Sequence, residues 1–160
     1  MNNEFYLSDA IEVIDEILSS GGEFRMYPKG TSMLPLIVQG KDSVVLRRSA
    51  EPLKKHDIAF YKRDNGQFVL HRVMKVGKNG VYTMCGDNQT ALENGIRQEQ
   101  IIGYVAGIYK EDAPLNESSF KYRAYIFFWC FMPYRCSVRF VKRAIRKTGR
   151  ILSKIFSKKD

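Results

Sequence analysis

Six short runs of alternating apolar and polar residues, each closed by a turn signal, constrain this chain more than any other feature. They are FRMYPKG (24–30), DSVVLRR (42–48), DIAFYKR (57–63), QFVLHRVMKV (67–76), GVYTMC (80–85) and IIGYVAGIYK (101–110), all rich in β-branched and aromatic residues. Period two over such lengths marks strands with one buried face. RDNGQ (63–67) and GKNGV (77–81) each carry Asn-Gly, the dipeptide that most favours a tight hairpin. The expected body is mainly β, built from hairpins over about residues 24–110. Ahead of it, Ile11, Ile14, Ile17 and Leu18 share one helical face while Glu12, Asp15 and Glu16 turn away. With Ser8 as N-cap and Gly21-Gly22 as stop, one amphipathic helix is expected over about residues 9–20.

Charge divides the chain in two. Residues 120–160 hold 12 Lys or Arg and one acid, for +11, whereas residues 1–119 hold 14 basic and 16 acidic residues, for −2. A near-neutral globular body, 1–119, is therefore expected to run through KEDAPLNESS into a basic segment, 120–160, with a separate task. Three cysteines with no CxxC and only two histidines argue against a disulfide framework and against a zinc site. No metal and no cofactor is expected. The N-terminus carries neither a basic leader nor an apolar h-region.

Three stretches carry residues with chemistry. In GTSMLPLIVQG (30–40), Ser32 has two readings, a cap on a short helical turn ahead of Pro35 or a nucleophile offered at the end of a loop. In QFVLHRVMKV, His71 shares a strand face with Val69 and Val73 while Arg72 lies on the other. Apolar neighbours desolvate an imidazole, lower its pKa and keep it neutral at pH 7, as a general base requires; the competing reading is a core histidine satisfied by a backbone carbonyl. In TMCGDNQ (83–89), Asp87 either makes the turn with Gly86 and Asn88 or accepts the second N–H of a nearby imidazole. His56, after two lysines, is expected to be solvated and without a role.

Taken in order, GTSMLPLI, DSVVL, HDIAFYKR, VLHRVMKV, YTMCGDNQ and IIGYVAGI resemble the signal peptidase family over about residues 24–110. The His71-Arg72 pair resembles the branch that uses serine with histidine, found in the endoplasmic reticulum, archaea and some spore-forming bacteria; the other bacterial branch and the related self-cleaving repressors have lysine there. The resemblance implies a coiled, partly open barrel and a serine endopeptidase in which Ser32 is the nucleophile, His71 the base and Asp87 the supporting acid. A leader or precursor peptide would lie extended along a strand edge, a mode in which main-chain hydrogen bonds supply affinity. Gly30, Thr31, Met33, Pro35, Arg72, Gly86 and Asn88 would shape the site. Many members have a small polar residue where this chain has Gly30, so the oxyanion donor would be the Ser32 N–H, with Thr31. KKHD (54–57) stands where a Gly-Asp turn is usual.

The basic segment opens with an apolar run, Ala124 to Met132, far short of the roughly 20 residues that span a bilayer. After Pro133, Val138, Val141, Ile145, Thr148, Leu152 and Ile155 follow helical spacing against a face of Arg and Lys. This pattern fits a helix lying on an anionic membrane surface, and Trp129 with the apolar stripe favours the membrane over nucleic acid as partner. The expected location is the cytoplasmic side, in peripheral or monotopic association. Two other functions fit the same residues: a non-enzymatic membrane or nucleic-acid adaptor with a peptidase fold, and a self-cleaving repressor-like protein, although no helix-turn-helix pair is evident at the front.

Overall fold

The computed structural model describes residues 5–138 and residue 140. They fall in two compact units, Met1–Glu117 and Ser118–Asp160. Helix α1 (Phe5–Ser19) opens the first unit. Its start lies three residues ahead of Ser8, which is therefore inside the helix and not its cap. Extending the helix adds backbone hydrogen bonds, and these outweigh the small propensity cost of serine, roughly 0.5 kcal/mol. The helix stops where expected: Gly21 takes φ +83, and the Gly21 and Gly22 N–H groups close back on the Leu18 and Ile17 carbonyls at 3.2 and 2.9 Å.

The strands are β1 (Phe24–Met26), β2 (Ser43–Arg47), β3 (Ile58–Lys62), β4 (Phe68–Val76), β5 (Tyr82–Cys85), β6 (Glu93–Ile96), β7 (Ile101–Lys110) and β8 (Ala113–Pro114). They form one antiparallel sheet in the order β1-β2-β7-β3-β4-β5-β6, with β8 on β7. The sheet is not closed, because β1 and β6 remain its two ends. The body is thus mainly β, as the alternation requires. Both Asn-Gly stretches are hairpin turns, with Gly66 and Gly80 at φ +85 and +70, the left-handed region that glycine enters without a Cβ clash. Register shifts at Val45/Leu46, Phe60/Tyr61, Val73/Lys75 and Tyr82/Thr83 add local twist and coil the sheet.

One buried cluster gathers Leu53, Ala59, Tyr61, Val73, Tyr82, Met84, Ile96 and Ile101, with Val69 and Tyr104 against it. Each large side chain buried there contributes about 1.5–3 kcal/mol. Helix α1 docks through Ile14 and Leu18, the latter only 1% exposed. Its contact needs Gly103 on β7, where a Cβ would come within 3.0 Å of both Leu18 Cδ1 and the Arg47 carbonyl.

In the second unit, helix α2 (Phe120–Trp129) is capped by Ser119, whose Oγ accepts from the Tyr122 N–H at 3.3 Å, and buries none of its residues. Tyr122, Tyr125 and Trp129 stack in succession along it, with centroids 6.4 and 6.1 Å apart. Residues 132–138 are helical. The amphipathic helix expected to run on to Ile155 lies, past Phe140, outside the described residues. Among those described, no helix is long and apolar enough to cross a membrane.

Candidate functional site

Ser32 lies on a run of turns, residues 32–36, and not on a helix. Gly30 enters that run at φ +96 and donates its N–H to the Gln39 side chain at 2.6 Å. Met33, Leu36 and Ile37 are buried beneath it. Leu34 and Ile37 donate to the Thr31 and Met33 carbonyls, and the Leu34-Pro35 bond is cis. The far end of the loop is fastened by Asp42, nearly fully buried, which accepts from the Val38 N–H at 2.7 Å and from Lys110. Lys110 also donates to the Leu36 carbonyl at 2.8 Å. Among the described residues the Ser32 hydroxyl makes no hydrogen bond, so it caps nothing.

A second loop holds the first. The Asn88 N–H donates to the Ser32 carbonyl at 2.7 Å and its side-chain amide to the Thr31 carbonyl at 3.1 Å. Gly86 has to be glycine, since a Cβ there would stand 2.7 Å from the Ser32 oxygen. Asp87, fully buried, anchors the turn: its two carboxylate oxygens accept from Arg72 Nε and Nη2 at 2.8 and 2.7 Å. Arg72 is buried as completely and also donates to the His56 carbonyl at 2.8 Å. His56 stands at φ +82, a backbone conformation that favours glycine, and is half-buried. The KKHD turn therefore takes a glycine-type backbone at a histidine.

His71, 2% exposed, follows the opposite face of β4, and among the described residues its ring hydrogen-bonds neither Asp87 nor a backbone carbonyl. Among the described residues its ring is met by Tyr61, with Nδ1 at 3.2 Å from the phenol oxygen, and by Glu93, with Nδ1 at 3.8 Å from Oε2. The Tyr61 hydroxyl donates to Glu93 Oε2 at 2.8 Å. Arg63 clasps the same carboxylate through Nε and Nη2 at 2.7 and 2.6 Å. The expectation that Asp87 orients the imidazole is thus corrected: Arg72 takes that carboxylate, and the acid beside the ring is Glu93, reached through Tyr61. Sequence reasoning missed both. Tyr61 reads as an ordinary core aromatic, and Glu93 sits in ENGI, a strand whose Glu, Asn and Gly disfavour the assignment.

Burial sets the electrostatics. It pushes the His71 pKa down from 6.5 to about 4, against the opposing pull of the Glu93 carboxylate, so the ring is neutral at pH 7. Burial also raises the Glu93 pKa, but hydrogen bonds from Arg63 and Tyr61 outweigh it and hold the carboxyl below its usual range. The Tyr61 phenol is raised, first by burial and then by its bond to Glu93, so it keeps its proton.

Ser32 and His71 line one cavity of about 920 Å³, together with Gly30, Met33 and, from α1, Ile11. Among the described residues, two stretches of chain border it without a strand partner on the cavity side: residues 68–71 of β4, which pair with β3 while β5 begins only opposite Arg72, and the continuation of β1 through Pro28 to Gly30. No group of metal-binding side chains occurs among the described residues. Fold and site together define a mainly β body with an open antiparallel sheet, in which a serine and a neutral, buried histidine share a cavity. No protein-family model matches the chain, and neither a curated protein nor a solved structure matches it.

Proposed function

We propose that this protein is a serine endopeptidase of the signal-peptidase type, acting on a leader or precursor peptide at a membrane surface. The observation that carries the reading is the shared cavity, with Ser32 on one wall and a desolvated His71 on another. In this reading the peptide lies extended between the unpaired stretch of β4 and residues 28–30, where it completes main-chain hydrogen bonds. Ser32 Oγ attacks the scissile carbonyl as His71 Nε2 takes its proton. The Ser32 N–H receives the oxyanion, since the Gly30 N–H is already given to Gln39. His71 then returns the proton to the leaving amine, and water, activated by the same nitrogen, releases the acyl group from Ser32.

The second unit supports the membrane part of the proposal. Phe120, Phe127, Phe128, Phe131 and Phe140 are each at least half exposed, among Lys121, Arg123 and the basic residues that follow. Aromatic side chains beside basic ones suit the boundary between headgroups and acyl chains.

The deciding experiment incubates the full chain, on anionic liposomes, with a panel of precursor peptides and reads cleavage by mass spectrometry. Cleavage by the wild-type chain that falls at least roughly 10³-fold in Ser32→Ala is the expected result. Equal cleavage by a folded Ser32→Ala variant would end the assignment, as would no cleavage across the panel.

A further inference from the structure

The contacts around His71 decide which of its nitrogens carries the proton. A phenol has one hydrogen, and Tyr61 gives its own to Glu93, whose carboxylate, clasped by Arg63, can only accept. The Tyr61 oxygen can therefore meet His71 Nδ1 at 3.2 Å only as an acceptor, which puts the imidazole proton on Nδ1. Nε2 is left with its lone pair, the form a general base needs.

We infer that Tyr61 and Glu93 are positioning residues of the base: a chain from Nδ1–H to the phenol oxygen and from the phenol O–H to the carboxylate holds His71 in the Nδ1–H tautomer and steadies the imidazolium formed when Nε2 takes a proton. The inference rests on the peptidase reading for its catalytic half, while the tautomer stands on geometry alone. The chain does for His71 what a directly bonded carboxylate does in other serine-histidine sites, with a phenol inserted between acid and ring. It also accounts for Arg63, which keeps Glu93 ionised and oriented at the far end of the chain. Four side chains act on the imidazole. Tyr61 on β3 orients it, and the Glu93 carboxylate on β6 favours its charged form. Arg63, after β3, opposes that charge, and Asp87, in the turn after β5, favours it more weakly.

Two substitutions separate orientation from charge. Tyr61→Phe removes the acceptor of the Nδ1–H but keeps the ring, while Glu93→Gln keeps an acceptor for the phenol and removes the charge. The tautomer is read from the His71 ¹⁵N shifts of the full chain in detergent micelles, and kcat and KM from peptide cleavage. Wild type should have a protonated Nδ1 and a bare Nε2. Tyr61→Phe should mix the tautomers and lower kcat by roughly 10–100-fold at little changed KM. Glu93→Gln should keep the tautomer, lower kcat, and move the acid limb of the pH profile to lower pH, since the carboxylate raises the His71 pKa. A wild-type ring protonated on Nε2, or a folded Tyr61→Phe with tautomer and kcat unchanged, would overturn the inference. The ¹⁵N measurement needs no substrate. A chain that shows the Tyr61-dependent tautomer but cleaves nothing would leave the proton assignment standing and remove the peptidase.

Discussion

Arg72 and Asp87 form a bidentate pair with no exposed side-chain surface, and through it the strand carrying His71 holds the turn that holds Ser32. Arg72 follows His71 directly on β4, and Asp87 precedes Asn88, whose two hydrogen bonds fasten the Thr31 and Ser32 carbonyls. The placement of Ser32 relative to His71 is therefore set by a chain of short contacts across three elements. Asp87 makes its hydrogen bonds to Arg72 and not to the imidazole, on which it acts only as a weaker, more distant charge.

Breaking that pair should cost stability before it costs chemistry. Removing one partner takes the two-pronged contact away from the other buried charge, a loss of about 3–5 kcal/mol. Asp87→Asn should lower the unfolding free energy by about this much, seen as a lower urea midpoint, and Arg72→Lys should lower it by less. Arg72→Lys keeps the charge but loses both the two-pronged contact and the bond to the His56 carbonyl. Variants as stable as wild type in urea titration would remove the anchoring role.

Gly86→Ala tests the loop contact at a single methyl group. The new Cβ would sit 2.7 Å from the Ser32 carbonyl oxygen, a backbone atom with little room to retreat. A destabilisation of about 1–3 kcal/mol is expected. At a temperature where the variant is still folded, peptide cleavage should fall by roughly tenfold or more, because Ser32 is displaced from His71. Wild-type kinetics in the folded variant would show that the contact does not position Ser32.

His71 makes two pH predictions. Its folded pKa, about 4, lies below the unfolded value of 6.5. Above pH 6.5 the ring is neutral in both states and costs nothing; as pH falls from 6.5 toward 4 the unfolded chain binds the proton first and stability drains away, by on the order of 3 kcal/mol. His71→Asn should lose this component, and the difference between the two urea titrations across that window measures it. Activity should follow the folded value, staying flat from about pH 5 upward and falling below about 4 in an assay too brief for acid unfolding. An acid limb centred near 6.5 would mean that the ring is solvated.

His56→Gly should stabilise the protein. A β-carbon at φ +82 costs roughly 1 kcal/mol that glycine avoids, while the backbone bonds of this turn, the His56 N–H to the Val73 carbonyl at 2.8 Å and the His56 carbonyl from Arg72, stay in place. Part of the gain is offset by the freer unfolded chain. A fall in thermal midpoint would assign the imidazole a contact worth more than the strain.

The second unit should carry the chain to anionic membranes. Full-length protein should sediment with phosphatidylserine-containing liposomes and less with neutral ones, and rising salt should release it as the charges are screened. Phe127→Ala with Phe128→Ala should weaken the part of the binding that survives salt, since both rings are exposed. Tight, salt-sensitive binding to duplex or single-stranded nucleic acid, with none to liposomes, would replace the membrane reading.

Alternation and turn chemistry were sufficient for the mainly β body, both hairpin turns and the glycine stop of α1, because each depends on neighbours a few residues away. The strands around Ser32 and His71 were legible for the same reason. Strand β6 was not: its ENGI sequence opposes a strand by propensity, and it pairs because β5 offers an open edge. What only the tertiary structure decided was which charge meets which. Asp87 in its turn and Glu93 on its edge strand are equally plausible partners for an imidazole when read along the chain. Burying Arg72 beside Asp87 commits that carboxylate, since a guanidinium in the core needs a counter-charge more than a neutral ring does, and the sheet register that sets Ala59 opposite His71 brings Tyr61, and through it Glu93, to the imidazole. Hydrogen bonds between residues 10 to 57 apart depend on sheet order and register, and no local pattern in the sequence encodes them.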